Sequence, residues 1–304
     1  MGESDNGLRM VEHKSIVSRI FTAVLFVILG IMALSCLYPI WYAFCVSISD
    51  KTAANSGMVT LYPVGFSTIA YREIMKDSTF FHAFGVSVLR AGFGTLFTLL
   101  ILCLMAYPLS KTTKQFRLHD PIMWILLFCM VFNAGAIPWY MTMVSYRLLD
   151  SVVGLILCGS LPVFNLIIVI NFFRGIPEDL EDAARVDGAG PWRVLFQIFI
   201  PVSKPVIATM VLFTSVGYWN EFFQGLVLSS SDKHYPLQTY IQQMVVNTQS
   251  VANMSPDEMK LMSALSNKSL DSAKVFIAMI PMLLIYPFIQ KYFVSGMMIG
   301  AVKG

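Results

Sequence analysis

Six stretches of the chain are almost continuously apolar: Ile20–Val46, Phe84–Leu109, Pro121–Val144, Ser151–Phe173, Pro205–Leu228 and Ala273–Phe293. Apolar runs of about 18 or more residues read as transmembrane helices. The pattern therefore predicts an all-α, polytopic membrane protein with six spans, forming one domain over residues 1–304. Two of the longer segments between spans, Ser47–His82 and Ser229–Ser272, lie on the same side. One connection stands apart. Residues 174–204, between the fourth and fifth spans, are charged and punctuated by Gly and Pro.

Composition agrees with this reading. The 304 residues are 56% hydrophobic and 13% charged, against about 25% charged in soluble domains. Lys14 and Arg19 precede the first run, as in a signal peptide. Its apolar part exceeds the roughly 7–15 residues of a signal core, and no A-x-A site follows, so it reads as a retained span. Short loops rich in Lys and Arg face the cytoplasm. With a cytoplasmic N-terminus, twelve of the 21 basic residues fall inside and eight outside, with Arg90 within a span. The short loop Ser110–Asp120 carries Lys111, Lys114 and Arg117. The expected topology is N-in and C-in, with 174–204 cytoplasmic.

The net charge of +3 comes without a basic patch interleaved with aromatics, so nucleic acid is not an expected partner. The five cysteines form no C-x-x-C pair and read as small apolar packing residues. The four histidines are scattered. Neither a phosphate-binding loop, an H-E-x-x-H helix nor a G-x-S-x-G elbow occurs. Nothing points to an enzyme, a metal site or a cofactor held by this chain.

Residues 177–188, "PEDLEDAARVDG", carry the signals of a helix. Pro177 suits a first helical position, and Glu178, Asp179, Glu181 and Asp182 load the first turns with negative charge. Gly188 is a natural stop, since it accepts positive φ. Leu180, Ala183, Ala184 and Asp187 share the i, i+3, i+4, i+7 face. A second helix restarts at Pro191 and runs to Pro201. Helices that lie on membranes favour Lys and Arg on the polar face. This one is mostly acidic and suits a protein partner better than anionic lipid.

"DAARVDGA", nine residues after its first glycine and then "IFIP", resembles the EAA loop of ABC importer permeases: E-A-A-x-x-x-G, nine residues, I-x-L-P. Asp182, Ala183, Ala184, Gly188, Ile198 and Pro201 fill that pattern. Asp182 stands where the family has Glu and is one methylene shorter, so Glu181 is an alternative for reaching a basic group. "YWNEFF" in the fifth span and the tail "YPFIQKYFVSGMMIGAVKG" resemble carbohydrate-uptake permeases related to the maltose system, the tail in particular the small subunit of the Gram-positive oligosaccharide branch. The resemblance implies a type I ABC importer permease fold in the bacterial plasma membrane. It also implies a second homologous permease, a cytoplasmic ABC ATPase dimer that binds ATP and Mg, an extracellular solute-binding protein and a sugar substrate. Glu178, Glu181, Asp182, Ala183, Ala184, Asp187, Gly188 and Pro201 would then couple the ATPase to transport. Trp192, Arg193 and Phe196 follow at positions that could fix the helix angle.

Polar groups inside spans are costly and often functional. Tyr218, Trp219, Asn220 and Glu221 offer aromatic faces and hydrogen-bonding groups for a sugar, or else bond neighbouring helices. Asn133, Asn165 and Asn171 pose the same choice. Arg90 either snorkels outward or pairs with a carboxylate, Glu221 being the candidate. Gly85, Ala91, Gly92 and Gly94 read as close-packing steps. The long outer segments suit a docking rim for a binding protein or a lid, with a short helix expected within Ser67–Met75. An ATP-independent secondary transporter or channel is the alternative. It predicts paired midplane charges and broken helices in matching halves.

Overall fold

The computed structural model describes residues 16–249 and 267–301. Among them every regular element is helical, and the Ser49–Phe66 pair is an isolated bridge. Six legs run between two ends. The first is Ile16–Ser47, the second Ser78–Leu109 and the sixth Lys268–Ala301. Ile20–Ser47 and Ser78–Leu109 are each long and apolar enough to cross a membrane without interruption. Most of the first leg is exposed hydrophobic surface, including Ile20, Phe26 and Leu34, as lipid contact requires.

The other three legs are broken where continuous spans are predicted. The third comprises His119–Val131 and Ala136–Ser145, the fourth Val152–Leu157 and Val163–Arg174, the fifth Lys204–Asn220 and Phe223–Leu228. Each break has a local cause. Gly135 has φ 87, outside any helix. Pro162 disfavours helical geometry at Leu161. Glu221 leaves the helix with ψ 119, and its carboxylate accepts the Gln224 backbone N–H at 2.9 and 3.1 Å, capping the half-helix that follows. Apolar patterning does not register such breaks, because the residues on both sides stay apolar.

The legs close on a core at each end. One end packs Leu102, Ala106, Leu109, Leu166, Phe173 and Phe199, beside residues 174–204. The other packs Ile74, Phe80, Trp219, Leu237 and Ala273. At this second end Lys274 Nζ lies 2.7 Å from Asp77 Oδ2 and 2.6 Å from the Tyr240 hydroxyl. Burial pushes the Asp77 carboxyl up, but Lys274 and the Phe80 amide outweigh it and hold it below the ordinary carboxylate range. The expected helix of the first outer segment is Ile69–Ile74, and the second contributes Leu237–Gln249. Residues 250–266, Arg9, Lys14 and the last three residues of the tail motif lie outside the described residues.

The packing reading of the cysteines holds for Cys45 and Cys103, which are buried, and fails for Cys36 and Cys129, which are exposed on the apolar exterior. Gly94 is a close-packing step: a Cβ there would stand 2.8 Å from the Tyr218 ring. Gly85 and Gly92 face open space, with nothing within 4 Å.

Candidate functional site

Two features stand out, one at the 174–204 end and one at the breaks. The first is the helix Glu178–Val186. Pro177 is its N-cap, one place earlier than predicted, with φ −56 and ψ 133. Gly188 has φ 77. Its N–H donates to the Arg185 carbonyl at 3.0 Å, and the Ala189 N–H to the Ala184 carbonyl at 2.9 Å. These are the two bonds of a Schellman C-cap, which needs a left-handed residue at this position.

The helix is turned differently from the predicted face. Glu181 is buried against the end of the second leg, where it accepts hydrogen bonds from the Tyr107 hydroxyl at 3.2 Å, from Lys111 and from Arg185 at 2.7 Å. Burial raises its carboxyl pKa, but the Lys111 and Arg185 cations outweigh burial and hold it below the usual range. Glu181 is thus an internal tether and not a free acid for a partner. Ala184 is half-buried against the core, whereas Asp179, Asp182, Ala183, Val186 and Asp187 are exposed. Successive helical residues are about 100° apart, so the two alanines divide between an inner and an outer face.

A second helix, Pro191–Val202, follows, and its middle, Leu195–Phe199, is π-helical. Pro201 has no N–H and its ring crowds the preceding turn; the widened turn accommodates it. Val194, Leu195 and Phe199 are buried, while Trp192 and Phe196 stack outside at 6.4 Å. The chain then bends by 82° at Ser203 into Lys204–Asn220. A single short connection therefore joins the acidic helix to the fifth leg.

The second feature lies where the broken legs meet. Arg90, fully buried on the second leg, donates from Nε to the Leu155 carbonyl at 3.2 Å and from Nη1 to the Glu221 carbonyl at 3.1 Å. Its Nη2 donates to Glu221 Oε2 at 3.1 Å and to Gln224 Oε1. Carbonyls exposed by helix breaks need partners inside a membrane, and Arg90 supplies them for the fourth and fifth legs together. Its guanidinium also lies 5.6 Å from the Tyr218 ring centroid. The expected Arg90–Glu221 pair is present, and snorkelling is excluded.

Two cavities flank this cluster. One of about 230 Å³, toward the 174–204 end, is lined by Gly159, Pro162, Asn165, Tyr218, Glu221 and Gln224, among others. The other, of about 440 Å³, lies toward the opposite end and is lined by Asn133, Gly135, Ala136, Trp139, Glu221 and Gln224, with Phe223. The four consecutive candidates of the fifth leg disperse around it. Glu221 and Tyr218 belong to these cavities. Trp219 is buried in the opposite core and donates from Nε1 to the Ala278 carbonyl at 3.1 Å. Asn220 lines a separate, apolar cavity with Ile40, Met279 and Met282. Asn171 is exposed. Nothing in the sequence singles out Trp139, because an aromatic inside an apolar run carries no distinguishing signal. Among the described residues no group of three or more His, Cys, Asp or Glu could hold a metal ion.

Residues 96–299 match the family described as "Binding-protein-dependent transport system inner membrane component". Protein LplC of Bacillus subtilis is 33% identical over 96% of this chain and 98% of its own length. The polygalacturonan/rhamnogalacturonan transport system permease protein YtcP of the same organism is 35% identical over 94% of this chain and 99% of its own. A solved chain from a bacterial ABC transporter involved in the import of the acidic polysaccharide alginate is 33% identical. It superposes with a TM-score of 0.82, covering 92% of this chain and 98% of that one.

Proposed function

The chain belongs to the family of binding-protein-dependent transport system inner membrane components, and from that premise we propose how its parts work. It is the permease subunit of an ABC importer of the sugar and oligosaccharide group, a multi-pass inner membrane protein and not an enzyme. It works with an ATPase and a solute-binding protein. A second, homologous permease completes the membrane unit in this reading. The ATPase dimer, with its ATP and Mg, docks on the cytoplasmic Glu178–Val186 helix, and both termini are cytoplasmic.

The observation that carries this reading is the continuous connection from the acidic helix, through the bent Pro191–Lys204 segment, to Glu221 at the meeting of the cavities. Closure of the ATPase dimer displaces the helix. The outward groups Asp179, Asp182, Ala183 and Val186 meet the ATPase, while Glu181 holds the helix to the second leg. Gly188 and Pro201 shape the exit and the bend. The fifth leg then shifts Glu221, changing which cavity is open to solute.

Relatives named for polygalacturonan and alginate point to oligosaccharides as the class. Arg90, beside the cavities, is already paired with Glu221. Recognition in this chain therefore rests on hydrogen bonds with Glu221, Gln224, Asn133 and Asn165, with Trp139 as a stacking face. At about 230 and 440 Å³, the cavities sit at the small end of the roughly 300–1,000 Å³ usual for ligand sites. Walls from the sister permease would enlarge them. Broken legs also occur in secondary transporters, but membership of this family decides for ATP-driven import.

The test is co-purification followed by reconstitution. The complex should hold both permeases, two ATPase copies and ATP-dependent sugar accumulation in liposomes when the binding protein is present. A chain that transports alone, or retains no ATPase, would overturn the reading.

A further inference from the structure

The two cavities meet at one place. Gly159, Pro162, Asn165 and Tyr218 belong to one, and Asn133, Ala136 and Trp139 to the other; Glu221 and Gln224 line both. These shared residues are the ones Arg90 Nη2 holds. Cys158, in the break of the fourth leg, donates from Sγ to Gln224 Oε1 at 2.9 Å, and its neighbour Gly159 lines the first cavity.

We propose that Arg90, Glu221 and Gln224 form a latch across the solute path, closed in this structure. The proposal rests on the reading of the two cavities as that path. Solute cannot move from one cavity to the other while Glu221 and Gln224 remain on Arg90. Parting them strips a buried guanidinium and a carboxylate of their partners, which is strongly unfavourable unless other polar groups replace them. A polyhydroxylated solute brings those groups: hydroxyl donors for Glu221 and Gln224, and hydroxyl acceptors for Arg90. An apolar solute brings neither. The latch therefore ties opening to a solute of the right chemistry. Arg90, which lines the first cavity, also keeps the fourth and fifth breaks in register through its bonds to the Leu155 and Glu221 carbonyls.

Cys158 is a built-in reporter, because its half-buried thiol is bonded to Gln224 while the latch is closed. The other four cysteines would be replaced by alanine, and the complete importer reconstituted with its partners. A small charged methanethiosulfonate reagent then gives the rate of Cys158 modification. The parent should react at least fivefold faster with ATP, vanadate, binding protein and a binding oligosaccharide than without nucleotide, and the increase should be lost when the oligosaccharide is left out. Glu221→Gln and Gln224→Ala should each react at least fivefold faster than the parent at rest, with uptake reduced about tenfold and ATP hydrolysis retained. Gln224→Ala leaves the Arg90–Glu221 pair in place, so it decides the matter if Glu221→Gln lowers complex yield. Equal Cys158 rates in both nucleotide states, or parental resting rates in assembled Gln224→Ala, would overturn the latch. Failure of the parent complex to show ATP-dependent uptake would instead overturn the importer reading.

Discussion

At the scale of single residues, Gly188 and Glu181 make separate predictions. The left-handed φ at Gly188 is required by the cap, yet a Cβ there would meet nothing within 4 Å. The cost of Gly188→Val is therefore backbone strain, about 1–2 kcal/mol, with no collision. The two permeases should still assemble, while ATPase retention or the coupling of hydrolysis to uptake falls; subunit content and sugar accumulation in liposomes check both. An acid on the alanine face has to be placed with more care. Ala184→Asp would disturb the chain's own core, so Ala183→Asp is the substitution that tests ATPase docking, with loss of the ATPase from a stable permease pair expected. Glu181 adds a pH dependence. Its folded pKa is lowered, so the tether to Lys111 and Arg185 is complete above the ordinary carboxylate value of about 4.3 and is lost only as pH falls on through the lower folded value. A spin label on Val186→Cys should be restricted at pH 7 and become mobile below that range. Lys111→Gln should give the mobile spectrum already at pH 7. An unchanged spectrum in Lys111→Gln would mean that the helix is held by other contacts.

At the scale of elements, the contrast between Gly94 and Gly92 measures how closely the second and fifth legs approach. Gly94→Val drives a side chain into the Tyr218 ring, an overpacking of about 1–3 kcal/mol. It should lower both the thermal stability of the complex and its uptake. Gly92→Ala meets open space and should be neutral or stabilising by up to about 1 kcal/mol through helix propensity. Thermal unfolding of the purified complex separates the two. The elements are also where sequence and structure part. The long apolar helices were legible because extended apolar runs favour membrane-compatible helices. The acidic helix was legible from Pro177, its acids and Gly188. The breaks were not, because apolar patterning runs unchanged through Gly135 and Pro162, and because the turn at Glu221, which caps Gln224, is completed by a distant partner, Arg90, at the Glu221 carbonyl. The orientation of the acidic helix was hidden for a similar reason. Its burial of Glu181 depends on Lys111, 70 residues earlier. In the fifth leg, Tyr218 to Glu221 read as one polar cluster along the chain, yet the helix aims them at three cavities and a core.

At the scale of the whole molecule, Lys111, Arg174, Arg185, Arg193 and Lys204 gather at one end, beside the acidic helix. Asp187→Cys, in a background without exposed native cysteines, should react with an impermeant reagent in inverted vesicles and not in intact cells. Labelling in intact cells would reverse the topology. The same end holds the 82° bend at Ser203, which has a mechanical consequence. Two rigid arms meeting near a right angle form a bell crank, which turns a push in one direction into a swing in another. At about 1.5 Å per residue, Pro191–Val202 is an arm of about 18 Å and Lys204–Asn220 one of about 25 Å. A rotation of about 15°, the size seen in subunit rearrangements, would sweep the first tip by about 5 Å and the second by about 7 Å. The output arm is the longer, so the lever amplifies stroke at the expense of force. In the coupling proposed above, a motor that closes with ample force over a short distance would be geared by this corner to a wider, gentler movement at Glu221.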